Sequence, residues 1–326
     1  MGFIRTVLGD LAPEDLGYCQ THEHIMCDSN LAPFGWIQST YADLGSGGMV
    51  LDDADRAHVE VQRYSDAGGC ALVDVTTFGW GRDHTVQASI ARTTGVHIIA
   101  TGGFYTEPHM PRFVETRSIP ELAAWIVGEF EQGIDGTDVR IGLLKSGIHH
   151  ARIAGLELKG LHAVARASLE TGLAITTHTS GGRKFEVKGG NLGKHHLRVL
   201  LEAGVDPSRL IVGHTDQRVD TAFLSELCSM GCYVQFDVVG KEHWMLDETR
   251  IDLLIDLINL GHVDRVLLGT DRCRKTELYQ ELGGVGYRHL LEDFIPRMRT
   301  RGIAQVDIDM MSIENPARAL VTGGVL

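Results

Sequence analysis

Short apolar segments and longer amphipathic segments alternate along the whole chain. Each apolar segment is rich in β-branched residues and ends at a polar or glycine position. The following stretches, such as Gly160–Thr171, Gly193–Ala203 and Thr249–Gly261, have apolar residues at three- and four-residue steps, which indicates helices. The apolar segments are predicted strands, in chain order Tyr18–Thr21, Ala71–Thr76, His97–Gly102, Arg140–Lys145, Ala174–His178, Leu210–His214, Tyr233–Asp237 and Val266–Asp271.

This alternation predicts an α/β protein with a (β/α)₈ TIM barrel, because strand–helix repeats build parallel sheets and eight repeats close a barrel. The alternative is an open doubly wound sheet, which usually has fewer strands and often a glycine-rich loop after the first one. Here the first strand instead runs into Thr21-His-Glu-His24. Phe3–Asp10 is a predicted strand and turn that covers the barrel bottom. No linker divides residues 1–326, so we expect a single domain.

Composition narrows the classes of partner. Hydrophobic residues make up 43% of the 326 positions, enough for one large core, and the net charge of −13 disfavours nucleic acid and anionic membranes. No apolar stretch approaches the roughly 18 residues of a membrane-spanning helix. The six cysteines form no CxxC pair, which is typical of reduced thiols and a cytoplasmic location. We expect a small-molecule substrate and a homodimer.

Four predicted strands end in, or just before, side chains that bind metals. The first leads into His22 and His24, two later ones end at His178 and His214, and the last ends at Asp271. Barrel enzymes place their sites at the carboxyl ends of the strands, so these side chains should converge. One histidine at a strand end is usually a structural polar residue, but four histidines and one aspartate at the same end of the barrel favour a metal site. Imidazole and carboxylate ligands suit zinc, manganese, iron or cobalt.

Lys145 ends the fourth predicted strand, among ligands meant for cations. A free ammonium group there repels metal, whereas a lysine carbamylated by CO₂ is an anionic carboxylate that can bridge two ions. The alternative is an ordinary lysine whose amine reaches the barrel mouth. The sequence alone leaves both open.

Several motifs together resemble the phosphotriesterase family of the amidohydrolase superfamily. Their order and spacing match over essentially the whole chain, and they are Gln20-Thr-His-Glu-His24, Leu143-Leu-Lys145, Thr176-Thr-His178, Val212-Gly-His214, Gly269-Thr-Asp271 and Glu314-Asn-Pro-Ala-Arg-Ala-Leu320. The resemblance implies two divalent ions, zinc being the first expectation, bridged by a carbamylated Lys145 and a hydroxide that attacks the substrate. It assigns Asp271 as the proton-accepting catalytic residue. It also implies two ligand groups, His22 with His24 and Asp271, and His178 with His214.

Four cations follow the last two predicted strands: Lys241, Arg272, Arg274 and Lys275. The corresponding loops of barrels commonly form a phosphate site, and Arg and Lys bind phosphate or carboxylate, so we expect these residues to contact an acidic substrate. The alternative is a set of solvated surface charges that pair with Glu242 or Glu277.

The same region resembles the branch of the family that opens phosphorylated sugar lactones. In that branch a Lys after the seventh strand and an Arg and a Tyr after the eighth hold the phosphate, and Lys241 and Arg274 match. The branch's Tyr falls at Glu277 here, which leaves open whether the acidic group is a phosphate. Tyr105 occupies the position where the family packs an aromatic ring against the ester, although packing within its own loop is an equal alternative.

These observations predict a metal-dependent hydrolase that opens an anionic, phosphorylated or acidic, sugar lactone. The alternative is a hydrolase of N-acyl homoserine lactones or simple lactones with weak phosphotriesterase activity, although four cations fit an apolar acyl chain poorly. A metal-binding protein without turnover is the third hypothesis, and retention of all six ligands and of Asp271 argues against it.

Overall fold

Eight parallel strands pair in chain order in the computed structural model, which describes residues 2–31, 48–148, 155–179 and 192–323. Every neighbouring pair is parallel, as expected when a helix returns the chain after each strand. The barrel strands are β1 (Cys19–Glu23), β2 (Ala71–Asp74), β3 (His97–Phe104), β4 (Ile141–Ile148), β5 (Ile175–Thr179), β6 (Leu210–Val212), β7 (Tyr233–Phe236) and β8 (Val266–Leu268).

Helices on the outside of the sheet connect these strands. Their first turns carry ordinary capping signals: Asp53 accepts from the backbone N–H of Arg56, and Ser118 and Glu121 form a capping box. The connecting helices are α1 (Ala54–Asp66), α2 (His84–Thr94), α3 (Ile119–Glu131), α4 (Gly155–Thr171), α5 (Leu192–Glu202), α6 (Thr221–Ser229) and α7 (Asp247–Asn259). Helical segments after β8 are Lys275–Leu278, Leu290–Phe294, Ile295–Thr300, Gln305–Asp309, Met310–Glu314 and Asn315–Leu320.

The first and last strands close the sheet by a few hydrogen bonds instead of a regular ladder. The Asp271 N–H donates to the His22 carbonyl at 2.9 Å, and Thr21 Oγ1 donates to the Leu268 carbonyl at 2.9 Å. We call this junction the seam. It completes the (β/α)₈ barrel that the sequence predicted.

Two short antiparallel pairs lie outside the barrel. Ile4–Thr6 pairs with Gly9–Leu11, so the predicted strand and turn at Phe3–Asp10 is confirmed as a hairpin. Cys27–Asp28 pairs with Val50–Leu51. All six cysteines are free, as predicted from their spacing. Within the described ranges, no helix has the length and apolar character needed to cross a membrane.

The strands β6 and β8 end earlier than predicted, for a reason that concerns the site. The predicted ends were His214 and Asp271, but both residues have left-handed backbones, with φ of 57° and 48°. This conformation is costly for a residue with a side chain and cannot continue a strand. Such strain is common where a fold aims side chains at a functional site.

Candidate metal centre

His22, His24 and Asp271 form one cluster at the carboxyl end of the barrel. One ligand atom from each lies within 4.8 Å of the others. The Asp271 carboxylate oxygen Oδ1 is 3.2 Å from His24 Nε2 and 3.8 Å from His22 Nε2. Because β1 places both histidines on the inner side and the seam places Asp271 beside them, residues far apart in sequence face one another.

His178 and His214 form a second group beside the first. His214 Nε2 is 2.7 Å from His178 Nδ1, and their rings are perpendicular, with centroids 4.6 Å apart. The His22 and His214 rings are 5.1 Å apart, so the two groups are neighbours. The structure therefore brings together all four histidines that the sequence singled out.

Lys145 lies on β4 beside His22 of the first group and lines the same cavity as the second group. Its Nζ atom is 3.2 Å from His22 Nε2, and the side chain is 1% exposed. Burial lowers the pKa of this amine to about 8, against the opposing effect of Asp271 and Asp237. The lysine does not reach the solvent, which contradicts the alternative of an ordinary lysine at the barrel mouth.

Most of the candidate ligands have the protonation state that a metal ion requires. Burial lowers the pKa of His22 and His24, and it lowers the pKa of His178 well below the usual value. Burial acts against ionisation of Asp271, but Lys241 and the histidines hold its pKa well below the usual value. Burial acts to lower the pKa of His214, but the adjacent Asp237 raises it above its usual value. Three neutral imidazoles and an ionised carboxylate that converge in a buried site fit divalent metal ions, and His214 would lose its proton on binding one.

Buried acceptors lie behind the histidine rings. His24 Nδ1 is 2.7 Å from Thr76 Oγ1, and His22 Nδ1 is 3.0 Å from Gln235 Oε1. The carboxylate of Asp237 contacts His22 Nδ1 at 2.8 Å and His214 Nδ1 at 2.9 Å. Sequence analysis missed Asp237 and Gln235. The sequence feature that could have identified them is a pair of polar residues, two positions apart, at the end of an otherwise apolar segment.

Glu23 supports the strained backbone of Asp271. Its carboxylate accepts from the N–H groups of Thr270 at 2.6 Å and Arg272 at 3.1 Å, on either side of Asp271. Burial raises the pKa of Glu23 to about 8, although these hydrogen bonds favour the ionised form. Glu23 points away from the histidines that flank it, as strand geometry requires.

A cavity opens over the ligands. Tyr105 lies on its wall, with its hydroxyl 3.1 Å from His178 Nε2 and its ring stacked on Trp80 at 5.1 Å. The described lining residues are His22, His24, Met49, Val75, Trp80, Tyr105, Lys145, His178, His214, Gln217, Val238, Lys241, His243, Trp244, Asp271, Cys273, Arg274 and Glu277.

Only two of the four predicted mouth cations are among these lining residues, Lys241 and Arg274. The prediction that Arg272 also faces the mouth is corrected: its side chain is 2% exposed and donates to the Val239 carbonyl at 3.1 Å. Lys275 likewise turns to the surface, where it pairs with Asp52 at 2.5 Å. These residues follow the end of β8, where the backbone has no strand periodicity, so their spacing in sequence does not determine which of them face the cavity.

Lys241 is not the solvated surface cation of the alternative interpretation. It is 5% exposed and lies 3.0 Å from the Asp271 carboxylate and 3.4 Å from that of Glu277. Burial acts to lower its pKa, but Asp271, Cys273 and Glu277 together raise it. The ammonium group is therefore charged and already partnered by two carboxylates.

A parallel barrel with converging imidazole and carboxylate ligands at its carboxyl end has the architecture of a metal-dependent hydrolase. The phosphotriesterase family model matches residues 2–320. The chain belongs to the phosphotriesterase family, and like the members described below it is a hydrolase.

Three proteins are similar to this chain over nearly its full length. The phosphotriesterase homology protein of Escherichia coli is 34% identical over 93% of this chain and 97% of its own, and its structure, complexed with phosphate in the active site, superposes with a TM-score of 0.82. The N-acetyltaurine hydrolase of Danio rerio is 30% identical over 98% of both chains. A lactonase from Listeria monocytogenes is 27% identical over 98% of both chains, with a TM-score of 0.84.

Proposed function

We propose that this hydrolase opens a lactone that carries an anionic group. The observation that carries the proposal is the position of Lys241 and Arg274 on the wall of the cavity that also contains the metal-ligand cluster. Cations within reach of a hydrolytic centre favour acidic substrates, because a charge-assisted hydrogen bond contributes roughly 1.5–3 kcal/mol. For Lys241, the substrate anion has to compete with Asp271 and Glu277. The family's lactonase member, which resembles this chain over nearly its full length, supports the choice of bond.

The proposed centre holds two divalent ions, zinc being the first expectation. His22, His24 and Asp271 would bind one ion, and His178 and His214 the other. Such ions supply a hydroxide near neutral pH and polarise the substrate carbonyl. Asp271 is the residue that accepts the proton, since its carboxylate is ionised and faces the cluster. Tyr105 supports binding, because its hydroxyl and ring face His178 across the cavity.

We also propose that Lys145 carries a carbamate. The lone pair of the neutral amine attacks the carbon of CO₂, a C–N bond forms and one proton is released to water. Burial favours this reaction, because a pKa of about 8 leaves a substantial neutral fraction near neutral pH. The product would supply an anionic carboxylate next to His22, which could bind the divalent ions.

An amide substrate with an anionic group is the second candidate. Glu277 favours a substrate with a single negative charge, because its carboxylate is 3.4 Å from Lys241 and weakens the attraction for a dianionic phosphate. The N-acetyltaurine hydrolases, about 30% identical to this chain, act on an amide whose other end is a sulfonate monoanion. Both candidates share a carbonyl that is hydrolysed and an anion that Lys241 and Arg274 hold.

A substrate screen separates these candidates. Aldonolactones with and without a phosphate or carboxylate are followed by a pH indicator, and N-acyl aminosulfonates and N-acyl amino acids by release of the amine. We expect acidic lactones to be hydrolysed faster than neutral lactones of equal ring size. If the amine is released faster than any lactone is opened, the amide is the better candidate. A preference for long acyl homoserine lactones would overturn the anionic-substrate proposal.

A further inference from the structure

The Asp237 carboxylate, just after β7, lies between two histidines of different ligand groups. Oδ2 is 2.8 Å from His22 Nδ1, and Oδ1 is 2.9 Å from His214 Nδ1. The side chain is fully buried. We propose that Asp237 is a positioning residue that holds one histidine of each ligand group, so that a single carboxylate orients both halves of the metal centre.

The chemistry of these contacts determines which ring nitrogen faces the centre. An ionised carboxylate only accepts hydrogen bonds, so each contacting Nδ1 carries a hydrogen, and in the neutral ring that a metal ion requires each Nε2 keeps its lone pair. The Nε2 atom of His22 faces Lys145 at 3.2 Å, and that of His214 faces His178 at 2.7 Å. Asp237 thus presents both lone pairs to the metal side.

The carboxylate is itself held in place. It accepts from the backbone N–H of His214 at 3.0 Å, which also supports the left-handed backbone of that residue. The Asp237 and Val238 N–H groups donate to Asp216 at 3.3 and 3.2 Å, and Asp216 is paired with Arg250 at 2.8 Å. The orientation of both histidines therefore depends on a buried network and not on one side chain's free rotation.

The two histidines do not depend on Asp237 equally. His22 Nδ1 has a second acceptor in Gln235 Oε1 at 3.0 Å, whereas Asp237 is the acceptor that the described residues offer to His214 Nδ1. Removing the carboxylate should affect the His178–His214 group most. Removing Gln235 as well should extend the loss to the first group.

The test is cobalt binding to metal-free protein, with two dissociation constants measured by chelator competition. We expect Asp237→Ala to weaken the second ion about 10- to 100-fold and the first ion less. Gln235→Ala should change little, and the double variant should weaken both. Glu60→Ala is the matched control, because it removes another buried carboxylate that contacts Arg63 at 2.6 Å. Unchanged cobalt affinities in Asp237→Ala, or losses equal to those of the control, would overturn the proposal.

A second measurement remains informative if the variants fail to fold. In metal-free wild-type protein with ¹⁵N-labelled histidine, the ring nitrogen shifts report the tautomer of each residue. At a pH where both rings are neutral, we expect the hydrogen of His22 and of His214 on Nδ1, and a neutral ring of either residue with its hydrogen on Nε2 would refute the inference. Cobalt affinity rests on the proposed metal centre, whereas the tautomer does not, so the two failures are distinguishable.

Discussion

Glu277→Gln tests how the cavity selects substrate charge. At 3.4 Å and an effective dielectric constant near 20, the Glu277 carboxylate and the Lys241 ammonium attract each other by about 5 kcal/mol. A substrate anion that reaches Lys241 must compete with this attraction. Its own repulsion from Glu277, at roughly 6 Å and a dielectric constant near 40 in an open cavity, is about 1.4 kcal/mol.

Removing that repulsion should raise kcat/KM for an acidic lactone about tenfold. A neutral lactone of the same ring size should change less than twofold. Arg274→Ala removes a positive charge instead, and it should lower kcat/KM for the acidic lactone about ten- to a hundredfold. Lys241→Ala is less informative, because it also removes a partner of Asp271.

The assay is the pH-indicator measurement on paired lactones, with Glu281→Gln as the matched control. Glu281 is on the same stretch of chain, but its carboxylate is 49% exposed and pairs with Arg56. The charge effect should shrink with added salt. The reasoning fails if Glu277→Gln changes acidic and neutral lactones alike, or if the control changes them as much.

Three further predictions concern the centre and its support. Chelation should abolish hydrolysis and lower the melting temperature, since ions bound only by the folded chain stabilise it; full activity after exhaustive chelation would contradict the metal centre. Lys145→Ala should lose metal and activity, with partial rescue by short carboxylic acids, and density ending at the Lys145 ammonium in a metal-loaded crystal would refute the carbamate. Gly213→Ala should lower the melting temperature, because its Cβ would lie 2.2 Å from the Thr177 carbonyl; an unchanged value in a thermal melt would show that β5 yields at no cost.

Sequence periodicity predicted all eight barrel strands, because apolar runs report burial wherever a parallel sheet is covered by helices. It also indicated the residues that converge, since strand ends of a barrel meet at one rim. The sequence did not indicate in which direction each loop side chain points. Arg272 and Arg274 are two positions apart, yet one is buried behind the loop and the other lines the cavity.

The contacts that tune the site were harder to predict than its ligands. The sequence indicated Glu242 and Glu277 as candidate partners of the four cations, but which carboxylate contacts Lys241 depends on how two loops fold over the barrel. Asp237 was difficult to recognise for the same reason. A polar residue at a strand end gives no indication of its role until the folded barrel places His22 and His214 beside it. Side-chain partners across strands are properties of the closed barrel and not of any window of sequence.

The seam also has a consequence for how the molecule is made. Thr21 and Leu268, which meet there, are 247 positions apart, and contacts of such separation form late because a long loop must first be closed. A chain emerging from the ribosome has His22 and His24 long before it has Asp271. Until β8 has been synthesised, the ring of strands stays open and the first ligand group lacks its carboxylate. We therefore expect the proposed centre to bind metal only after β8 and Asp271 have been synthesised, and a nascent chain stalled before β8 should bind cobalt no better than an unfolded one.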